Sequence, residues 1–229
     1  MRKTIGIVGC GWLGKNLSQQ LSDSFDVECY KRATTDAKPS FWQRDIIIIA
    51  INTKDNYLQS LKKFSKLISD KASIILMSST SVYREFDKEI DENSIITKIT
   101  LQREAEMLME DLNKNLIILR LGGLMGEDRI SGRWKSASSF SDSFVNYIHR
   151  DDVIAITKEL IVHGISSGIY NLVAPLHPLR SDVHKKNSKV FGFELGTFEG
   201  KSNRTVNSQK IIDELNYTFL NPDPLKFWD

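Results

Sequence analysis

Short apolar runs and four-residue apolar spacings alternate along the first half of the chain. "TIGIVG" closes on glycine and reads as a buried strand. Leu13, Leu17 and Leu21 then recur every four residues, one face of a helix. "FDVECY" is a second strand, and "RATTDAKPSFWQRD", with Pro39 and no strand period, reads as a loop. "DIIIIAIN" has no polar alternation, which suits a strand covered on both faces, as in a parallel sheet between helices. Tyr57, Leu61, Phe64 and Ile68 mark a helix, "SIILMS" a strand, Leu101, Ala105, Leu108 and Leu112 a helix, and "LIILRL" a strand. This order predicts an α/β fold: a Rossmann-type doubly wound parallel sheet.

After about Leu121 the texture changes. "GGLMGEDRISGRWKSASSFSDS" is polar, glycine-rich and aperiodic, and reads as a long binding or flexible loop. "VNYIHRDDVIAITKELIVHG" predicts a strand end, an Asp cap, a helix and a glycine stop. "GIYNLV" is a late strand. "SDVHKKNSKVFG" and "NSQKIIDELN" predict short helices opened by a Ser or Asn cap. The expected organisation is one dinucleotide-binding Rossmann domain over 1–229, with 122–145 and 175–229 forming a small C-terminal substrate lobe.

"GIVGCGWLG" places Gly9-x-Gly11-x-x-Gly14 between the first strand and the first helix. In that setting each glycine has a role. Gly9 permits the tight turn, Gly11 lets a pyrophosphate approach the backbone, and Gly14 lets helix and strand pack closely. The helix N-terminus offers N–H groups and partial positive charge to the phosphates. At the end of the second strand an acidic residue would hold the ribose hydroxyl of NAD, and a basic one the 2′-phosphate of NADP. Lys31 and Arg32 stand there, whereas Glu28 lies earlier in the strand, so NADP is preferred over NAD.

Composition narrows the class further. With 229 residues and 41% hydrophobic content the chain can bury one full core. A net charge of +2, with 26% charged residues, argues against nucleic acid as the main partner. Cys10 and Cys29 lack metal-ligand spacing and read as two reduced, partly buried thiols. His163, His177 and His184 show no metal spacing either, so no metal is expected. The longest aliphatic run, "IIIIAI", is far short of a membrane span, and the apolar start is too short and glycine-broken for a signal peptide. A cytoplasmic protein with no membrane partner is the expectation.

The ordered motifs "IVGCGWLG", "SSTSVY", "LRLGGLMG", "VNYIHRDDVIAI", "IYNLVAP" and "VNSQKIIDELNYTFLNPDP" resemble the extended short-chain dehydrogenase/reductases, the NAD-dependent epimerase/dehydratase group, and their small atypical members of the YeeZ type. The resemblance implies that the N-terminal sheet binds the dinucleotide and the C-terminal lobe closes over substrate. On this reading the cofactor meets Gly9, Cys10, Gly11, Trp12, Leu13, Gly14, Lys31, Arg32, Ala50, Ile51, Asn52, Ser78 and Gly123. It also implies a catalytic hydroxyl at Ser79, and a Tyr followed four residues later by a Lys. Here the sequence departs. Counting back from Glu106, those two positions fall on Lys98 and Gln102, and no Tyr-x-x-x-Lys occurs anywhere in the chain.

Each candidate has a functional and a structural reading. Ser79 is either a ligand-facing hydroxyl at a strand's carboxyl end or a turn cap. Tyr83 is either a proton donor or a packed aromatic. Lys98 could serve as an acid or base only if burial lowered its pKa. His149 could touch substrate, though in the resembling family its segment is largely structural, with Asp152 capping a helix. Arg129 and Arg133, with Lys135, could hold a substrate diphosphate or lie on a solvated loop. Three readings follow: an atypical NADP-dependent oxidoreductase or epimerase acting on an unknown small molecule, a non-catalytic NADP-binding regulator, and a protein–protein module. Helices 55–70 and 99–113 are a candidate homodimer surface.

Overall fold

Ile46, Ile47, Ile48 and Ile49 are all buried, which only a strand covered on both faces permits. In the computed structural model, which describes the chain apart from residues 1, 32–37, 55, 85–86, 112–114 and 134–138, these four form the third strand of a parallel sheet. The elements in order are β1 (Thr4–Val8), α1 (Trp12–Leu21), β2 (Asp26–Tyr30), β3 (Ile46–Ile49), α2 (Tyr57–Ser65), β4 (Ser73–Ser79), β5 (Glu89–Ile90), α3 (Leu101–Glu110), β6 (Leu116–Leu121), β7 (Gly123–Met125), β8 (Ser139–Ser141), β9 (Tyr147–His149), α4 (Arg150–Val162), β10 (Gly168–Leu172), α5 (Arg180–Phe191), β11 (Thr197–Glu199), β12 (Thr205–Val206) and α6 (Gln209–Leu215).

The central sheet has six strands in the order β10-β6-β4-β3-β1-β2. β1 pairs with β2 on one side (Ile7↔Cys29) and with β3 on the other (Ile7↔Ile48). The chain therefore reverses its direction of travel across the sheet at β1. A crevice outside the carboxyl ends of β1 and β3 is where such sheets receive ligands. The Rossmann-type α/β class expected from the alternation is the fold observed.

Several local expectations are corrected. The stretch read as a loop before β3 contains a 3₁₀ turn, Pro39–Gln43, which buries Phe41 and Trp42 in the same core as Ile47, Ile49 and Phe64. α3 buries Ala105 and Met109 and packs Leu108 on the core, but Leu101 stays exposed and Glu106 is buried beside them, while Leu112 lies outside the described residues. The glycine-rich loop after Leu121 carries two short strands, β7 and β8. α5 starts without a side-chain cap, and at the start of α6 it is Asn207, not Ser208, whose side chain accepts from the Gln209 N–H. Ser208, at the start of α6, instead accepts from the Val173 N–H at 2.8 Å.

The chain packs as two compact units. Unit 1 comprises Met1–Val82, Lys98–Arg120 and Thr157–Tyr170; unit 2 comprises Tyr83–Thr97, Leu121–Ile156 and Asn171–Asp229. Unit 1 is built on β1 to β4 with α1, α2 and α3, its aliphatic strands sandwiched by Leu17, Leu61, Phe64 and Met109. Unit 2 holds three two-stranded parallel ladders, β7·β9, β8·β11 and β5·β12, around a core that includes Met125, Tyr147, Val183 and Phe227. Among the described residues no helix is long and apolar enough to cross a membrane.

Candidate functional site

The glycine loop of unit 1 lies at the carboxyl end of β1. Gly9 has φ +110°, a conformation that side chains rarely adopt, and a Cβ there would stand 2.5 Å from the Ala50 carbonyl. A Cβ on Gly14 would overlap the Gly9 carbonyl, so only glycine lets α1 start this close to the strand. A Cβ on Gly11 meets nothing within 4 Å; the space over it is open. The N–H groups of Gly9 and Cys10 both donate to the Tyr30 carbonyl, at 2.7 and 3.2 Å, folding the loop back over the end of β2.

α1 begins at Trp12 with Gly11 as its cap, no side-chain cap and no acidic residue in the first turn. The first N–H groups of a helix lack intrahelical acceptors and favour an anion. Open space over Gly11, a helix start without a side-chain cap and a positive helix end together fit a dinucleotide pyrophosphate. The residues expected beside it converge on the same sheet edge. Lys31 is exposed just past β2, and Ala50, Ile51 and Asn52 follow β3, with Ile51 buried and Asn52 exposed. Arg32 lies outside the described residues, as does Lys135.

Cys10 and Cys29 do not stand apart as two free thiols. The structure pairs their sulfurs as a disulfide, with Cα atoms 5.7 Å apart. The reason is the fold of the loop. The two N–H bonds to Tyr30 carry Cys10 over the end of β2, next to the residue before Tyr30. Nothing in the 19-residue spacing signals this, because it depends on β1 and β2 being neighbours.

The hydroxyl stretch after β4 divides its work. The Ser78 hydroxyl is buried and donates to Glu106 Oε1 at 2.6 Å. Glu106 is itself fully buried against Arg120, which donates from Nε at 3.0 Å and from Nη2 at 2.8 Å. Arg103 adds a donor at 3.1 Å. Ser79 Oγ accepts from the Ser81 N–H at 3.1 Å, an ST turn that leaves its own O–H proton to point elsewhere. Ser81 Oγ is buried and makes no hydrogen bond in the structure, a rare state for a hydroxyl. Burial, with the Glu106 charge nearby, pushes Tyr57 up to about 12, so its phenol stays protonated. Lys98 is exposed. Arg120 was not singled out from the sequence; a charge inside the apolar run "LIILRL" was its signal.

The remaining candidates lie in unit 2. Tyr83 is 1% exposed and its hydroxyl donates to Asn171 Oδ1 at 2.9 Å, while its carbonyl accepts from Arg204 at 3.1 Å. Gly123 donates its N–H to Asn146 and packs on the Tyr147 ring. Arg129 and Arg133 are both exposed. His149 is buried, and burial holds its pKa below the ordinary value against the pull of Asp151 and Asp152. Its Nδ1 faces the Asp151 N–H at 3.3 Å and the Asn221 amide at 3.2 Å. Both are donors, so Nδ1 accepts and the ring is neutral with its proton on Nε2. Asp152 is not a helix cap. It lies inside the first turn of α4 and accepts from the Leu220 N–H at 2.7 Å, the Asn221 N–H at 3.0 Å and the Tyr217 hydroxyl at 3.0 Å.

The parallel sheet, its switch point at β1 and the glycine loop define a Rossmann-type protein with the fold of the epimerases. Solved structures sharing that fold include UDP-glucose 4-epimerase from Bifidobacterium longum in complex with NAD+ and UDP, with TM-score 0.78 and 15% identity, covering 98% of this chain and 96% of that one. Human epimerase family protein SDR39U1 with NADPH matches with TM-score 0.71 and 13% identity, covering 98% and 97%. In sequence the chain is homologous along its length to Protein YeeZ of Escherichia coli K12, with 26% identity over 97% of this chain and 98% of YeeZ. No protein-family profile matches it. The likeness to YeeZ read from the ordered motifs is found in the sequence, and the likeness to the epimerases is found in the fold.

Proposed function

We propose that this protein binds NAD(P) at the glycine loop of unit 1 and works as an atypical NADP-dependent oxidoreductase or epimerase on a small molecule. One observation carries the reading: the Gly9–Gly14 loop has the turn, the close helix start and the open face over Gly11 that a pyrophosphate needs. The ligands named for the two epimerase-fold relatives, NAD+ and NADPH, support it. The nicotinamide, when bound, supplies hydride transfer. The chain's own residues bind and orient: first-turn amides of α1 take the phosphates, Lys31 favours a 2′-phosphate, and Ser79, with its proton uncommitted to the ST turn, donates to a substrate oxygen.

Proton transfer is the weak part of any turnover, and this favours a second reading, an NADP-binding regulator. Tyr83 is buried with its hydroxyl on Asn171, and Lys98 is exposed with no tyrosine beside it. The experiment is a thermal-shift titration with NADPH and NADH, then an NADPH-consumption screen against carbonyl and imine panels. The enzyme reading expects stabilisation by NADPH above NADH, and turnover lowered by Ser79→Ala. Stabilisation without turnover selects the regulator. No stabilisation by either dinucleotide removes both. Lys31→Ala should weaken NADPH more than NADH; equal weakening removes the NADP preference.

A further inference from the structure

The Cys10–Cys29 pair lies within the loop that the proposed dinucleotide site is built on, and the geometry points to a redox modification site: reversible closure of this disulfide that lowers dinucleotide affinity. The inference rests on the reading of unit 1 as a dinucleotide site. Cys10 is the residue between Gly9 and Gly11, and Cys29 is the penultimate residue of β2. Their Cα separation of 5.7 Å falls in the middle of the range that a disulfide spans without moving the backbone. Both residues are partly exposed, so a small oxidant or reductant can reach them. The Cys29 sulfur also lies 3.7 Å from the Gly14 carbonyl. The bridge thus touches all three parts of the cradle: loop, strand and first turn of α1.

The chemistry needs only a low-molecular-weight disulfide such as oxidised glutathione. Cys10, just ahead of α1, supplies the attacking thiolate. It attacks the oxidant, releases one glutathione thiol and forms a mixed disulfide. The Cys29 thiolate then attacks the Cys10 sulfur and releases the second. Two protein thiols lose two electrons, one glutathione disulfide gains them, and the two thiol protons leave on the two glutathiones.

The consequence follows from position. Closed, the bridge covers the strip between the glycine loop and the tip of β2, and pins the loop with its Gly9 and Cys10 N–H groups held on Tyr30. That strip is where the ribose end of a dinucleotide must meet Lys31. Open, the two sulfurs separate and the strip clears. Linkage makes the effect reciprocal, so bound dinucleotide must resist closure of the bridge by the same factor.

The test uses the full chain and two independent readouts. First, the protein is equilibrated across ratios of reduced to oxidised glutathione, and its thiols are trapped and counted by mass. The proposal expects a two-electron transition between a dithiol and an internal disulfide. Second, the NADPH Kd is measured by titration calorimetry on the fully reduced and fully oxidised protein. The expected result is at least fivefold weaker binding when oxidised, and in Cys29→Ser no internal disulfide at any ratio, its Cys10 going no further than the mixed disulfide. The wild-type comparison stands alone if that variant fails to fold. Absence of an internal disulfide at every ratio overturns the proposal whatever the protein binds. An internal disulfide with unchanged Kd also overturns it. If neither form binds NADPH or NADH, the dinucleotide reading fails and takes the proposal with it; the thiol count, taken separately, shows which of the two premises was at fault.

Discussion

Glu106 and Arg120 form an ion pair closed off from solvent, the carboxylate fully buried and the guanidinium 2% exposed. Arg120 makes two donations to it, one to each oxygen, in the forked geometry that suits a carboxylate. Removing Arg120 leaves the buried Glu106 carboxylate without its main counter-charge, with donors from Ser78 and Arg103 only partly making up for it, at a cost of up to about 3–5 kcal/mol. Arg120→Met should therefore lower the urea midpoint steeply. Pairing it with Glu106→Leu should recover much of the loss, because nothing charged is then left inside. Equal destabilisation in the single and double variants would show that the pair is not what holds α3 to β6.

Gly11 and Gly14 should separate binding from folding. Gly14→Ala forces a methyl into the Gly9 carbonyl, so the loop must move; a loss of about 2 kcal/mol or more is expected, in the range of other steric strain in packed sites. Gly11→Ala meets open space and should leave the melting temperature within about 2 °C of the parent, consistent with a stability change near zero. Its effect should fall on NADPH affinity instead, read by thermal shift. An unstable Gly11→Ala with normal affinity would contradict this division.

Asp152 should control the order of the C-terminal segment of unit 2. Its carboxylate takes the Leu220 and Asn221 N–H groups, the Asn221 side-chain amide and the Tyr217 hydroxyl. Asp152→Ala removes all four acceptor contacts and should cost about 2–4 kcal/mol, as several charge-assisted hydrogen bonds are lost together. Hydrogen exchange should accelerate first at the amides of residues 220 and 221. Unchanged protection there would mean the loop is held by its apolar contacts alone.

His184 sets a pH dependence for unit 2. It is buried beneath Phe140 and Phe198, with Nε2 3.1 Å from the Tyr147 hydroxyl. Burial pushes its pKa down to about 4, with Arg180 acting in the same direction and Asp142 against. In the unfolded chain an imidazole titrates near 6.5, so as pH falls the unfolded state takes up a proton first. His184 thus contributes stability that is complete above pH ~6.5 and is lost as pH falls through its folded pKa. Burial lowers His149 and His177 as well, which adds to the same slope. Between pH 7 and 4.5 the His184 share should be about 2 kcal/mol. Urea midpoints across that interval should be flatter in His184→Gln; an unaltered slope would exclude this histidine as the source.

The backbone plan was legible because it rests on local pattern. Aliphatic runs such as Ile46–Ile49 are readable as strands wherever they end up, and the Gly9–Gly14 spacing is local by nature. What escaped was settled between distant residues. α3 presents Glu106 inward because Arg120, 14 positions on, waits in the neighbouring strand. Periodicity alone picks out Ala105 and the leucines and leaves no place for a buried carboxylate. Cys10 meets Cys29 only because the loop after β1 folds over β2. Asp152 looks like a cap from its neighbours, but its partners lie 68 and 69 residues away. In each case a polar group satisfied at long range overrode a local preference.

The two units are interleaved along the chain, and this bears on how the protein is made. Unit 2 begins with Tyr83–Thr97, is interrupted by two stretches of unit 1, and ends with Asn171–Asp229. Glu89 and Ile90 find their strand partners only at Thr205 and Val206. On a ribosome, the sheet of unit 1 can close once the segment ending at Tyr170 has emerged, while the early pieces of unit 2 must wait. Those pieces carry unpaired strand edges and apolar side chains such as Tyr83 and Ile90 through most of synthesis. The nascent chain is therefore most dependent on chaperone cover just before Asn171–Asp229, its last quarter, appears, and rapid elongation through that region should favour a soluble yield.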